Sequence, residues 1–516
     1  MSEPRLIHIR EPKLRFRFGQ SVEYPRDGLY LFGPVDAAQQ PRQVRFGVIG
    51  TTESLRRFNE WAGQVANFID VPERGRMSKT IEAHHVAFSG FDEAFFSIWP
   101  TSPCRTITDI NEQDLYEAMH ISNRHEAIKT AVDAFVDRLV ADRKRDEDPP
   151  DFWFVVIPEF IYELGRPKST VAFADRIPGK IILKESEVAD LKINPTLFGE
   201  AEAEAEIYKY AKNFRRQLKA RLLDHQIVTQ IVRETTLTPH EFLKANSTEL
   251  KRRVEDRATI AWKLCTAAYY KSGGRPWQLA NVRPGVCYVG LVYKEQPTED
   301  DPQHACCAAQ MFLSDGEGVV FRGALGPWYQ PDTKQFHLDR PAARNLVSMV
   351  LNEYRLQHPN HPAELFIHAK SSFSEDEWGG FVEACQGTGT NVVGVQIADA
   401  WDQVKLYRPG SYPTIRGTAM LTSNRSAFLW TSGFVPRLDT YMGPDTPNSL
   451  QVSVRRGDAQ LETVLADVLS LTKINFNTCL FNDREPVTIR FADAIGDILV
   501  SAPVLSEPRL PFKFYI

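Results

Sequence analysis

The sequence is poor in cysteine. Its seven Cys residues are scattered over 516 positions, with one adjacent pair, Cys306 and Cys307, and no Cys-x-x-Cys. That excludes a disulfide scaffold or a zinc ribbon and fits a reducing, cytoplasmic compartment. No uninterrupted apolar run is long enough to span a bilayer, so no membrane segment is expected. The opening MSEPRLIHIREPKLRFRF alternates charged and apolar residues and has no apolar h-region, so no secretory signal is expected. Internal repeats and low-complexity tracts are missing. The Gly-Val-Ile-Gly turn at 47–50 has neither a third glycine nor a Walker lysine, and reads as a buried turn rather than a phosphate loop. No Gly-x-Ser-x-Gly or Cys/His pairing suggests a hydrolase. His84 and His85 cannot both face one side of a strand. HPNHP (358–362) has no cysteine or carboxylate at ligand spacing, so neither group predicts a metal site.

What is present is an ordinary globular composition, 43% hydrophobic and 25% charged, with an uneven distribution of charge. The length suggests roughly two to four domains. From Lys212 to Arg275 there are 14 Lys/Arg against 6 Asp/Glu, a net of +8 in a chain whose overall charge is −5. Such a block is the footprint of a polyanion site or a solvated helical face. Its sharpest part is KNFRRQLKAR (212–221). On a helix spanning roughly 203–224, Lys212, Arg215, Arg216 and Lys219 would share one face and repel one another. The preceding FGEAEAEAEIYKY (198–210) would place acids near that helix's N-terminus, where they are favourable.

Periodicity divides the chain. RQVRFGVIG (42–50) reads as a strand, followed by a helix capped at Thr51 or Thr52. A second amphipathic helix covers 122–143, and FWFVVIPE (152–159) is a buried parallel strand. IVTQIV (227–232) is a short strand, and a long helix over 239–270 stops at KSGGRPWQL. After Pro284, VCYVGLVYK, ACCAAQMFL and GVVFRGAL form a meander. Helix and strand then alternate: a helix at 340–357, a strand at 363–370, a helix in SEDEWGGFVEAC, a strand in TNVVGVQIA, further strands to about 435 and a helix at 458–472. That order is the order of an RNase H-like fold. The fold class is therefore α/β.

Several segments together resemble the short prokaryotic Argonautes, which have MID and PIWI domains and lack PAZ. They are EPKLRFRFGQ…PRDGLYLFGP (11–34), FVVIPEFIYELGRP (154–167), IVTQIV with Gln230, AYYKSGGRPWQL (268–279) with Lys271, the strand VGLVY, and LTKINFN…PVTIRFADAIGD. The resemblance implies a Rossmann-like MID domain followed by an RNase H-like PIWI domain. Residues 1–150 would be the N-terminal part of the MID lobe and an interface region, 151–280 the MID core, and 281–516 PIWI. It implies a guide 5′-phosphate pocket made by Arg215, Lys219, Gln230 and Lys271. Lys212, Arg216 and Arg275 would be candidates for backbone contacts. The chemistry suits a phosphate: arginine offers a planar fork of donors, lysine a point charge, glutamine an amide donor. In relatives the C-terminal carboxylate, here Ile516, can reach this pocket, sometimes through a divalent ion such as Mg2+.

The resemblance also implies where a nuclease would keep its metal-binding carboxylates. Val292 stands at the first position and Lys370 at the third. Asp493 lies near the last, and no glutamate finger can be placed. Asp300, Asp301, Glu375, Asp376 and Glu377 read as caps and solvated charge; Cys287 and Asp315 lie near the same strands. The expectation is a protein that binds a guide RNA and a complementary single-stranded DNA target without slicing. By resemblance it would serve prokaryotic immunity against plasmids or phage. Its partner would be an APAZ-domain effector bound as a heterodimer, carrying a TIR or sirtuin-type NAD-consuming domain or a nuclease. Rival readings are a stand-alone PIWI endonuclease with misregistered ligands, and a guide-binding module without an effector.

Overall fold

The computed structural model describes residues 4–516 apart from 38–41, 72–85, 146–147, 185–186, 189–203, 282, 296–303, 313–317, 331–333, 402, 442, 444–445 and 504–508. His84, His85, Asp300, Asp301, Asp315 and residues 198–203 of the Ala/Glu run at 198–210 thus lie outside the described residues.

Two sheets organise the chain. The smaller is parallel throughout, in the order Arg105–Ile107, Phe46–Ile49, Phe152–Ile157, Thr229–Arg233. Its strands come from both sides of residue 150. All six residues of Phe152–Ile157 are buried. Successive side chains of a strand point to opposite faces, and here both faces are covered. Phe152, Phe154 and Val156 pack with Phe58 and Trp61 of the helix Thr52–Val65. Trp153, Val155 and Ile157 pack with Phe135 of Arg124–Arg145 and Leu218 of Phe214–Leu223. The cap at Thr51 is as expected: its hydroxyl accepts from the Ser54 amide.

The larger sheet has ten strands. Its order is Arg5–His8, Thr418–Leu421, Ser426–Leu429, Leu450–Arg456, Asn391–Asp399, Glu364–Ala369, Val286–Glu295, His304–Phe312, Gly318–Pro327, Arg509–Pro511. The meander from Val286 to Pro327 is antiparallel, and Val286–Glu295, Glu364–Ala369 and Asn391–Asp399 run parallel. Helices Arg340–Gln357 and Glu375–Cys385 cover one face. Leu461–Leu471 and Val487–Leu499 cover the other. Gly290 is required where Val487–Leu499 crosses, because a Cβ there would lie 1.9 Å from the Thr488 carbonyl oxygen.

Two expected helices are shorter than the pattern suggested. The basic helix is Phe214–Leu223, capped by the Asn213 side chain, which accepts from the Arg216 amide at 3.0 Å. Lys212 therefore precedes the helix and does not share its face with Arg215, Arg216 and Lys219. The cap wins because asparagine's carbonyl satisfies an amide that the first turn leaves open. The long helix begins only at Arg257, where Asp256 caps the Thr259 amide, and runs to Lys271. Residues 239–251 instead form turns, with the Lys244 amide bonded to the Glu249 carbonyl.

The N-terminal residues are stitched into the larger sheet. Beyond the strand Arg5–His8, the Glu11 carboxylate accepts from Arg416 at 2.8 Å and pairs with Lys473 at 2.7 Å. Arg26, 2% exposed, donates to the Cys479 carbonyl and the Thr259 hydroxyl.

Candidate functional site

A cavity of about 340 Å³ opens where Phe152–Ile157 and Thr229–Arg233 end, beside the N-terminal turn of the basic helix. Crevices at the carboxyl ends of parallel strands are the usual ligand positions of α/β sheets. Leu218 and Leu222 anchor the basic helix in the core. Arg215 and Lys219 lie one turn apart, with Arg215 exposed at the rim and Lys219 buried. Lys271 is the last residue of its helix, where the partial negative charge of the C-terminus favours a cation. Gln230 is the second residue of its strand.

Arg215, Lys219, Gln230, Lys271 and Ile516 line this one cavity. Lys271 Nζ donates to Gln230 Oε1 at 2.6 Å, to the Thr229 carbonyl at 2.9 Å and to the Ile516 backbone oxygen at 2.7 Å. Lys219 Nζ reaches the same Thr229 and Ile516 oxygens, at 3.2 and 2.8 Å. Ile516 itself is buried with Phe514 and Tyr515. Among the described residues no side-chain carboxylate pairs with Arg215, Lys219 or Lys271. Burial holds both lysines well below their ordinary pKa; Arg215 lowers Lys219 further, and Lys219 and Arg215 lower Lys271. The pocket thus assembles cations that an incoming anion would stabilise. Thr229, Gln230 and Ile516 supply hard oxygen donors, but each already accepts from an ammonium group. The Ile516 oxygen belongs to the terminal carboxylate, the donor of this set that could hold a divalent ion beside a bound phosphate.

The other predicted contacts separate. Arg216 turns from the cavity to Asp497, at 2.5 Å. The Arg275 amide donates to Asp36. Tyr162, Arg166, Asn213, Arg233 and Asn477 also line the cavity and went unnoticed in the sequence. The Arg233 guanidinium lies 3.6 Å over the Tyr162 ring and is fixed from the side by Glu159, whose carboxylate also accepts from Thr235. The available signal was position: Arg233 is the last residue of a parallel strand.

On the larger sheet, Gly290 is paired with His368, so Val292 and Lys370 follow on adjacent strands, two residues beyond that pair. The helix Val487–Leu499 brings Asp493 to the same place. Lys370 Nζ lies 2.5 Å from Asp493 Oδ2 and 4.0 Å from Glu485. Lys294 Nζ lies 3.4 Å from both Asp493 and Asp497. Partial burial raises the Asp493 carboxyl, but Lys370 and then Lys294 outweigh it, and its pKa falls below the usual range. Two ammonium groups and an apolar Val292, which is 6% exposed, leave one carboxylate of a metal set. Glu377 is not solvated as expected: it is 1% exposed, bonded to the Tyr293 hydroxyl and 3.3 Å from His337 Nδ1. Ser374 caps the helix here, which leaves Glu377 free to turn into the core. Among the described residues, the metal-capable trio is Glu60, His240 and Glu241. Arg56 and Arg57 occupy the Glu241 carboxylate. No helix among the described residues is long and apolar enough to cross a membrane.

By sequence, the chain matches no family model and no curated protein. By structure it is similar to Clostridium butyricum Argonaute bound to a guide DNA and a 19-mer target DNA, with a TM-score of 0.63 at 16% identity, covering 99% of this chain and 55% of that one. It is also similar to Aquifex aeolicus Argonaute, with a TM-score of 0.54 at 12% identity, covering 98% of this chain and 56% of that one. The chain spans about half the length of each. Its architecture is an Argonaute-like fold, a parallel MID-type sheet joined to a PIWI-type mixed sheet.

Proposed function

We propose that this protein is a guide-dependent nucleic-acid sensor that binds its target without cutting it. One observation carries the reading: Lys219 and Lys271, both buried, converge with Arg215 beside a cavity, and these cations share a single carboxylate, the terminal one of Ile516. A guide's 5′ phosphate supplies the missing charge. The lysines act as point charges, Arg215 as a fork of donors at the rim, and Gln230 orients Lys271. The guide is RNA and the target single-stranded DNA. Base pairing supplies sequence specificity, while the protein holds backbone and shape. Val292 and Lys370 at the expected ligand positions, with Lys294 beside them, support binding without cutting, with catalysis in a partner. That partner is an APAZ-domain protein, with a TIR or sirtuin-type NADase or a nuclease, switched on when the target binds. Residues 1–150 contribute to the MID lobe and to this interface.

The test is to purify the chain and sequence the nucleic acid that accompanies it, beside Lys219→Ala/Lys271→Ala. Short 5′-phosphorylated RNA in the wild type and its loss in the variant are expected. Equal loading contradicts the pocket. Incubation with a complementary target and Mg2+ or Mn2+ should leave the target intact; cleavage would favour the stand-alone nuclease.

A further inference from the structure

Residues 400–417 join Asn391–Asp399 to Thr418–Leu421. Connections of this length without a regular element of their own are uncommon and usually functional. This one carries two large exposed aromatics: Trp401 is 59% exposed and Tyr407 74%. Trp401 follows the carboxyl end of its strand by two residues. The Arg484 guanidinium lies 4.9 Å from the indole centroid and is bound from the side by the Asp399 carboxylate. The Thr431 hydroxyl bonds to the Arg484 backbone oxygen, so the guanidinium rises from a fixed base. Asp399 also acts electrostatically on Lys370, and Glu485, next in sequence to Arg484, lies 4.0 Å from the Lys370 ammonium. Trp401 therefore stands beside the place where the larger sheet would present a nuclease centre.

Charge around it is balanced: Lys294, Lys370, Arg484 and Arg216 face Asp399, Glu485, Asp493 and Asp497. Coulomb attraction of a backbone is not what this surface offers. It offers a π-face, backed by an arginine and left open to solvent. Every nucleobase can stack on such a face, and cation–π contact from the arginine strengthens the platform.

We infer that Trp401, with Arg484 behind it, is a stacking site for an unpaired base of the target strand, next to the position where cleavage would otherwise occur. The inference rests on the guide-binding reading above and extends it to target recognition. It assigns the Trp401 side to base stacking and leaves the Lys219/Lys271 side to the guide's 5′ end.

The experiment uses the full chain loaded with a 5′-phosphorylated guide RNA and a target DNA bearing 2-aminopurine at successive positions. Quenching confined to one or two positions is expected in the wild type, and its loss in Trp401→Ala. Target affinity should fall roughly 5- to 100-fold, with little dependence on salt, and Trp401→Phe should restore most of it. Guide affinity should not change. Normal guide loading with equal target affinity and equal quenching in Trp401→Ala overturns the stacking site and leaves the guide pocket standing. Failure of the wild type to load any guide overturns both. A drop in affinity that Trp401→Phe does not restore, or that vanishes with added salt, also counts against it.

Discussion

Lys473 and Lys271 are both buried lysines, and their charges are balanced unequally. Lys473 is fully buried and has a carboxylate, Glu11, at 2.7 Å, shared with Arg416. It also donates to the Glu23 carbonyl and sits 3.7 Å from the Phe481 ring centroid. Burial still pulls its pKa down to about 8, but Glu11 opposes the fall. Lys271 and its neighbour Lys219 meet the Thr229 carbonyl, the Gln230 amide oxygen and, shared between them, the terminal carboxylate of Ile516, and Arg215 adds repulsion. A lysine that holds a fold together carries its counter-ion with it. Two lysines and an arginine around one terminal carboxylate are left with positive charge in excess. The PIWI-type lysines form a third case: Lys294 and Lys370 are partly exposed and already paired with Asp493, so their charge is met on the surface.

The largest effect should come from taking the carboxylate away from Lys473. Glu11→Gln leaves Arg416 and Lys473 buried without a counter-charge, and should cost about 3–5 kcal/mol in denaturant unfolding. A loss under about 1 kcal/mol would erase the distinction drawn between the two lysines.

The next effect is on protons. In the free protein the pocket lysines give up protons at pH values below their ordinary 10.5. A bound phosphate favours their charged forms, so binding should take up protons and weaken as pH rises through the depressed values. Titration calorimetry of a 5′-phosphorylated guide in buffers of different ionisation enthalpy should show net uptake. Zero uptake would mean both lysines are fully charged beforehand. The stability of the unliganded protein has the opposite sign. Over the window between the depressed values and 10.5 the unfolded lysines keep protons that the folded ones release, so this contribution rises with pH and is lost as pH falls.

The smallest effect belongs to the paired, partly exposed lysines. Asp493→Asn should change stability by less than about 1 kcal/mol, because half-exposed pairs are screened by solvent. A larger loss would place Lys370 and Lys294 with Lys473 as structural charges.

Much of this was legible in the sequence because it is local. The helix at 340–357 has the bounds its periodicity gave, and the buried run at 152–157 is a parallel strand. The pocket was legible through residue types and resemblance, and Arg215, Lys219, Gln230 and Lys271 do come together. Non-local pairings were not readable. Nothing in RLIH announces that Arg5–His8 pairs with Thr418–Leu421 across the whole chain. The strand Leu450–Arg456 and the inward turn of Glu377 were missed for the same reason: partners distant in sequence decide them. Periodicity overran two helix starts, at Asn213 and Asp256, because one capping side chain sets a boundary that a hydrophobic pattern does not register.

The most direct measurement is the affinity of the purified chain for one RNA carrying either a 5′ phosphate or a 5′ hydroxyl, in the wild type and in Lys219→Met/Lys271→Met. Charge-assisted hydrogen bonds are worth about 1.5–3 kcal/mol each, so two lysines should give a preference for the phosphate of roughly 100-fold or more. The variant should lose that preference. Equal affinity of the wild type for both ends would contradict the account, because those buried cations would then be waiting for something else.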